Sequence, residues 1–407
     1  MAIELRAIPR DRAAEFLVPL GTTFGFAVTP ERVERIRTVT DLDTLIGACE
    51  GDTIVGSAGA FAFEMSVPGG VAVETSGLTL VAVLPTHRRQ GLLRRMMRSH
   101  LDGAHRRGQA MAALYASEGS IYGRFGYGMA ALRADIELRR ERAALSGGSG
   151  GHDATGRFRL LTEEEASAAF PPVYERIRRA RPGMLSRSEV WWRVRRIADP
   201  DWMRAGRPPL QRVLLEVDGR PVAYALYRLG ATLTSMPAEL PLDVVECVGD
   251  SPATARAMWQ FLFEVDLAQT FRASFLPPDH PLLFQVAEPA RLKLQLSDGI
   301  WVRLVDVGAA LSRRGYGAGE PLVLDVTDEF CPWNQGRWRL AGGIATRTEE
   351  AADLAMDVST LGAAYLGAFS FSQLAQAGRV SQRSPGALDQ GDALFRAGLL
   401  PWCPEIF

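Results

Sequence analysis

The chain has 407 residues, 47% of them hydrophobic and 23% charged, and its 46 basic and 47 acidic side chains leave a formal net charge of −1. That length predicts two or three domains, and the near-zero charge argues against nucleic acid as a bulk partner, although arginines cluster at 88–107 and 176–196. Cys49, Cys247, Cys331 and Cys403 form no CxxC pair, which speaks against a disulfide framework or zinc site and makes a reducing cytoplasm the simplest home. The opening MAIELRAIPRDRAAEF has no apolar signal core, and no run approaches membrane-spanning length.

Residues 1–145 read as one α/β unit. Helices are predicted over 11–20 and 30–37, followed by paired strands over 52–62 and 71–83. The stretch VAVLPTHRRQGLL (81–93) then carries the strongest chemical signal. An apolar strand with Leu78, Leu80, Val81 and Val83 breaks at Pro85, and a basic turn, His87-Arg88-Arg89-Gln90-Gly91, leads into a helix from about 89 to 107. Leu92, Leu93, Met96, Met97, Leu101 and Ala104 fall on one helix face, and Arg94, Arg95, Arg98, Arg106 and Arg107 on the other. Gly91 lets the backbone approach a ligand, and the first helical turn leaves amide N–H groups without intrahelical partners. With the helix dipole and the arginines they make a site suited to a pyrophosphate. The same spacing equally fits a surface turn with solvated arginines. It excludes a P-loop, since no Lys-Ser/Thr pair follows the glycine, and a dinucleotide fingerprint, which needs further glycines.

A strand over 110–116 leads to a second informative stretch, ASEGSIYGRFGYG (116–128), which sets Tyr122 and Tyr127 in a glycine-rich loop. SGGSGGHDATG (146–156) has the composition of a flexible linker. Beyond it, 157–290 reads as a worn copy of the first unit: a hairpin over 213–229 turning at Asp218-Gly219, then strand, turn and helix over 243–266. The turn Gly249-Asp250-Ser251-Pro252 lacks arginines and its aspartate would repel a pyrophosphate, so this copy is not expected to bind one. Strands over 301–305 and 321–326 and helices over 358–365 and 370–377 form a third portion. The chain ends FRAGLLPWCPEIF, with apolar Trp402 and Phe407 where termini are usually polar and frayed. A buried terminal carboxylate becomes a better proton acceptor than one in water.

The 81–93 segment resembles motif A of the GCN5-related N-acetyltransferases (GNAT), whose R/Q-x-x-G-x-G/A turn holds the pyrophosphate of acetyl-CoA. Here it runs Arg88-Arg89-Gln90-Gly91-Leu92-Leu93, with Leu93 in place of the second small residue. The 116–128 segment resembles the superfamily's Y-x-x-x-G-F/Y stretch, whose tyrosine protonates the coenzyme A sulfur. Aligned on it, Tyr122 is the acid, Tyr127 takes the aromatic position after the glycine, and Tyr127 remains the competitor. With the sterol-carrier-like third portion and the aromatic end, the whole chain resembles the Eis (enhanced intracellular survival) family of actinobacterial N-acetyltransferases.

That resemblance implies an α/β (α+β) chain of tandem GNAT folds: a catalytic domain over 1–145, the linker 146–156, and a degenerate domain over 157–290. A sterol-carrier-protein-like α/β domain over 291–407 follows. It implies acetyl-CoA as co-substrate, with no metal, held by the backbone of Val81, Ala82 and Val83, by Arg89, Gln90, Gly91, Leu92, Leu93 and Arg94, and by Ser117 and Glu118. It further implies Tyr122 as proton donor and the C-terminal carboxylate of Phe407 as proton acceptor, in direct transfer within a ternary complex and without an acetyl-enzyme. Aminoglycoside-like or other polyamine acceptors and a cytoplasmic homohexamer follow from the same family. The alternatives are a protein-lysine or N-terminal acetyltransferase and a lipid carrier built on the third portion. His87 reads as a turn residue and His105 as solvated. Asp41, Asp43, Glu64, Phe24 and Phe26 are candidates for an acceptor pocket that nothing in the sequence places, and Glu405 for attracting a cation as any surface glutamate would.

Overall fold

A strand that the periodicity did not predict opens the chain: β1 (Ile3–Ala7) pairs antiparallel with β2 (Ile46–Glu50). It is an edge strand with no buried residue, so IELRA carries no core face for sequence reading to find. Between them lie helices α1 (Ala13–Phe16), α2 (Val18–Phe24) and α3 (Pro30–Val39). The helix predicted over 11–20 is thus two short ones, the second with Pro19 in its first turn. The sheet continues antiparallel through β3 (Thr53–Val67) and β4 (Val71–Val83), then parallel to β5 (Met111–Tyr115) across helix α4 (Leu92–Arg106). Its far edge is β6 (Gly128–Met129), and residues Ile300–Leu304 insert as a strand between β5 and β6.

The structure is a computed structural model that describes residues 2–146, 156–204, 206–230 and 240–407. The linker residues 147–155 lie outside them. A second sheet is built from β7 (Leu132–Arg139), β8 (Arg157–Leu160), β9 (Gln211–Val217), β10 (Arg220–Leu229), β11 (Leu240–Gly249), β12 (Ala268–Leu276) and β13 (Gln295–Asp298), in the order β13-β7-β12-β11-β10-β9-β8. The strand Ile300–Leu304 is therefore β14. One unit of the chain comprises Met1–Ala131, Ile300–Pro401 and Glu405–Phe407, and the other Leu132–Gly299 and Trp402–Pro404.

Two strands thus serve sheets other than those their sequence positions suggest. β7 precedes the linker yet pairs with β12 and β13, and β14, read as opening the third portion, completes the first sheet. Local periodicity cannot reveal such an exchange, because an alternating apolar strand fits any sheet with an open edge. The third sheet, β15 (Leu322–Thr327), β16 (Gly336–Ala341), β17 (Ile344–Arg347), β18 (Leu354–Asp357) and β19 (Val380–Gln382), has the order β17-β16-β15-β18-β19. Helices Val358–Tyr365 and Phe371–Gln376 accompany it, at the positions the sequence predicts. The hairpin between β9 and β10 turns at Asp218 and Gly219, both left-handed (φ 51° and 74°), as a two-residue turn between right-twisted strands requires. Among the described residues no helix is long and apolar enough to cross a membrane.

The second sheet is organised around one buried carboxylate. Glu246 on β11 accepts from Arg187 at 2.7 and 2.9 Å, from Arg196 and from the Tyr224 hydroxyl. The Arg187 guanidinium also lies 3.7 Å from the Tyr174 ring centre and 4.6 Å from that of Trp192. Burial alone would raise the Glu246 carboxyl, but the charges of Arg187 and Arg196 outweigh it and hold the group below the usual carboxylate range. A depressed folded-state pKa gives stabilisation that is complete above the ordinary value of 4.5 and is lost as the pH falls below it. Glu246→Gln is therefore expected to cost about 3–5 kcal/mol at pH 7 and to flatten the acid limb of urea-unfolding midpoints. An acid limb as steep as in the parent chain would place that pH dependence elsewhere.

Candidate active site

β4 and β5 pair over three residues, Thr75–Gly77 against Met111–Ala113, and then part. β4 keeps its ladder to β3 as far as Val83, interrupted by a register shift between Ser57 and Gly59. Opposite that shift Leu80 has φ 55°, a strained conformation for a bulky residue, and Ser57 Oγ donates to its carbonyl at 3.0 Å. The edge of Val81, Ala82 and Val83 that would continue toward β5 carries no ladder, because the pairing of β4 with β5 ends at Gly77 and Ala113.

After a short turn over Pro85–His87, Arg89 (φ 64°) and Gly91 (φ 74°) are both left-handed, and α4 starts at Leu92. The helix predicted from about 89 thus begins three residues later, since neither conformation belongs to a right-handed helix. Among the described residues no side chain caps α4, and beyond the neighbouring backbone nothing lies within 4 Å of where a Cβ on Gly91 would stand. Arg88, Arg89, Gln90 and Arg94 are exposed, while Leu92 is buried and Leu93 half-buried, so the leucines anchor the helix and offer a ligand their backbone. An uncapped helix N-terminus, open space above its glycine and a rim of guanidinium groups together fit a pyrophosphate. His87 stays in the turn, with Nδ1 2.7 Å from Thr86 Oγ1 and Nε2 3.4 Å from a Glu50 carboxylate oxygen.

The second sheet repeats the plan and closes it. β11 and β12 also pair in parallel only as far as Val244 and Ala273, and helix Pro252–Glu264 connects them. Here Ser251 caps the helix: its Oγ accepts the Thr254 N–H at 3.2 Å, and Thr254 Oγ1 accepts the Ser251 N–H at 3.0 Å. Asp250, whose carboxylate lies 3.2 Å from Arg176, adds negative charge beside it. The amides exposed on α4 are consumed on its counterpart.

Ser117 and Glu118 are exposed and lead into the short helix α5 (Gly119–Tyr122). Tyr122 is 7% exposed; burial, with the Glu118 charge adding to it, pushes its phenol up to about 12, so it carries its proton at neutral pH. Tyr127 is completely buried and raised further by that burial. The two rings meet edge-on, 6.1 Å apart.

Phe407 is half-buried, and its ring lies 5.1 Å from Phe63, 6.2 Å from Phe61 and 6.2 Å, perpendicular, from Tyr115. A Cβ on Gly77 would stand 3.2 Å from the Phe407 ring and 2.6 Å from that of Phe63, so the last paired residue of β4 must be small for the ring to sit there. Phe61, Phe63, Gly77 and Tyr115 are the site residues that sequence reading missed. The Phe61-x-Phe63 spacing on one strand face was a signal, but one indistinguishable from core. Glu405 is buried rather than a surface glutamate.

Other candidates fall elsewhere. His105 is not solvated: it is half-buried and stacks on Trp333 at 4.4 Å. Burial, aided by Arg107, depresses His100 to about 3. Asp41 and Asp43 border an open hollow of about 400 Å³ with Arg10 and Arg37. Glu64 and Phe24 are exposed, and Phe26 lies under the Arg32 guanidinium at 4.9 Å. Among the described residues no group of three His, Cys, Asp or Glu is arranged to hold a metal.

Residues 4–130 match the acetyltransferase (GNAT) domain family, 183–304 match a second acetyltransferase (GNAT) domain family, and 307–404 match the sterol carrier protein domain family. An uncharacterized N-acetyltransferase of Streptomyces avermitilis is 40% identical over 94% of this chain and 94% of its own length. The N-acetyltransferase Eis of Mycobacterium tuberculosis is 36% identical over 97% of each chain. This chain belongs to the Eis family of N-acetyltransferases. The crystal structure of Eis1 from Mycobacterium abscessus agrees with it at a TM-score of 0.85 and 30% identity, covering 99% of this chain and 100% of that one. The tandem GNAT folds and sterol-carrier-like portion expected from the sequence are therefore those of an Eis-family acetyltransferase, which draws its acetyl group from acetyl-CoA.

Gly91→Val tests the turn. A β-branched residue cannot hold φ 74° without strain and covers the α4 amides. Acetyl-CoA affinity measured by calorimetry is expected to fall by about tenfold or more, as loss of roughly 1.4 kcal/mol of helix-terminus binding requires, with the melting temperature lowered by the same strain but the fold retained. Unchanged affinity would move the pyrophosphate away from this turn.

Proposed function

We propose that this Eis-family enzyme acetylates primary amines of aminoglycoside-like or other polyamine acceptors, by direct transfer from acetyl-CoA within a ternary complex. The observation that carries this reading is the seating of Phe407 against Gly77 and Tyr115, at the parting of β4 and β5. The domain against which the Phe407 ring sits also holds the open α4 turn and Tyr122, which supports a role for the final carboxylate there.

An ammonium acceptor with a pKa of about 10.4 must lose a proton before it attacks. The Phe407 carboxylate accepts that proton, directly or through water, and the freed amine nitrogen then bonds to the thioester carbon. The unpaired backbone edge of Val81, Ala82 and Val83 supplies an N–H to the carbonyl oxygen while it carries negative charge. As the carbon–sulfur bond breaks, Tyr122 gives its proton to the departing thiolate. Arg89, Gln90, Gly91 and Arg94, with the backbone of Leu92 and Leu93, hold the pyrophosphate, and Ser117 and Glu118 border the donor beside Tyr122. No cysteine is required as nucleophile: all four are buried. The cytoplasmic homohexamer belongs to this same proposal by family likeness.

A free-thiol assay with acetyl-CoA against kanamycin, neomycin and spermine tests the reading. Tyr122→Phe is expected to lower kcat by roughly a hundredfold, the usual worth of a general acid, with little change in the KM for acetyl-CoA. Two glycines added after Phe407 turn its carboxylate into an amide and should suppress turnover comparably. Full activity in the extended chain would remove Phe407 from the chemistry, and full activity in Tyr122→Phe would remove the proton donor.

A further inference from the structure

Behind the tyrosine loop lies a buried charge that the chemistry above does not use. Arg303 on β14 is completely buried, and its Nη2 donates to Asp328 Oδ2 at 2.6 Å. Asp328 is itself fixed: Oδ1 accepts the Cys331 N–H at 2.9 Å, and Oδ2 also accepts from Asn334 Nδ2 at 2.9 Å. Asn334 is tied back to the end of β14 through the carbonyls of Leu304 and Val305. The guanidinium is therefore anchored on one side.

Its other side faces the loop. Among the described residues, Nε and Nη1 of Arg303 have no hydrogen-bond partner of normal geometry, although the guanidinium lies near enough to the buried Cys331 thiol to oppose the effect of burial on it. A Cβ built on Gly126 would stand 2.7 to 2.8 Å from Cζ, Nε and Nη1, so the guanidinium lies directly against the loop backbone. The next residue, Tyr127, buries a hydroxyl that likewise has no partner among the described residues, and its ring meets that of Tyr122. The Arg303 charge opposes the effect of burial on Tyr127, so the two groups are electrostatically coupled. Donors buried without partners lower stability. Arg303 and the Tyr127 hydroxyl thus lie along the loop whose Tyr127 ring meets that of Tyr122, and fixed dipoles and charge of this kind can oppose charge that exists only during turnover.

We propose that Arg303, held by Asp328, is a positioning residue for the proton donor, fixing the loop through Gly126 and stabilising, by way of Tyr127, the negative charge left on Tyr122. The inference rests on the reading of Tyr122 as proton donor. When the Tyr122 O–H bond breaks and an S–H bond forms on the departing thiolate, the electron pair stays on the phenolate oxygen. The Tyr127 hydroxyl and the Arg303 charge oppose the cost of that buried anion until the second proton released by the acceptor nitrogen, relayed through water, restores the phenol. Nothing is oxidised or reduced.

The test combines Tyr127→Phe, Arg303→Lys and Arg303→Met, each alone and with Tyr122→Phe, assayed with acetyl-CoA and the best acceptor of the panel above. Tyr127→Phe removes an unpartnered hydroxyl, so the melting temperature should hold or rise. A purely structural tyrosine would then leave turnover untouched, whereas kcat is expected to fall about tenfold at constant KM for acetyl-CoA. Arg303→Lys, which keeps the charge, should lose less than Arg303→Met, and none of the three should lower the residual kcat of Tyr122→Phe further. Parent-level kcat in both Tyr127→Phe and Arg303→Lys overturns the inference, as does the same fold-loss with and without Tyr122, and either leaves the donor reading standing. Full turnover in Tyr122→Phe alone overturns the donor reading first. If Arg303→Met fails to fold, Tyr127→Phe and Arg303→Lys carry the test.

Discussion

The parting of β4 from β5 after Gly77 is the constraint on which the rest of the site depends. A parallel pair that stops after three residues leaves Val81–Val83 without a ladder on the edge toward β5, a cost a folded chain normally avoids, while the other edge stays paired with β3. The local sequence sustains the break: Leu80 holds a left-handed conformation opposite the register shift in β3, with Ser57 bonded to its carbonyl. Strain of about 1–3 kcal/mol at such a residue persists only where the surroundings enforce it. In exchange, an extended ligand can pair with the free edge while its anionic end reaches the uncapped helix that follows.

The two acetyltransferase-like halves show how little separates a site from its worn copy. Both diverge after a short parallel run, and both place a helix directly after the diverging strand. On α4 the first turn follows a left-handed glycine with no side-chain cap. On Pro252–Glu264 a reciprocal Ser251–Thr254 capping box satisfies the Thr254 and Ser251 N–H groups, Pro252 has no N–H to offer, and Asp250 supplies a negative charge. A cap contributes about 0.5–2 kcal/mol of helix stability. The second half holds that stabilisation and presents an anion with fewer free amides and a negative charge. In the same unit Trp402 donates to the Phe275 carbonyl of β12 and belongs to the apolar cluster of Tyr174, Met184 and Val248.

What could be read in advance follows from the range of the forces involved. Turn chemistry is local, so the Gly91 bend, the Asp218-Gly219 hairpin and the acidic turn at Asp250 were legible from a few residues each. The helices at 358–365 and 370–377 were equally so, since Asp357 and Ser370 announce their own caps. Strand exchange was not legible, because nothing in IWVRL tells β14 to enter the first sheet rather than the third. For the same reason Arg303 read as an ordinary strand residue. Its meaning comes from Asp328, twenty-five residues on, and from the Tyr127 loop far behind it in the chain. The aromatic seat of Phe407 joins residues 61, 63 and 115 to the last position, and no window of sequence spans them.

A crystal structure of the chain with coenzyme A and a polyamine acceptor bound tests the central claim most directly. The account predicts the pyrophosphate on the backbone amides that follow Gly91, the pantetheine along the free edge of Val81–Val83, and the sulfur beside the Tyr122 hydroxyl with the acceptor nitrogen at the Phe407 carboxylate. Coenzyme A bound away from that edge, or an acceptor amine remote from Phe407, would contradict it.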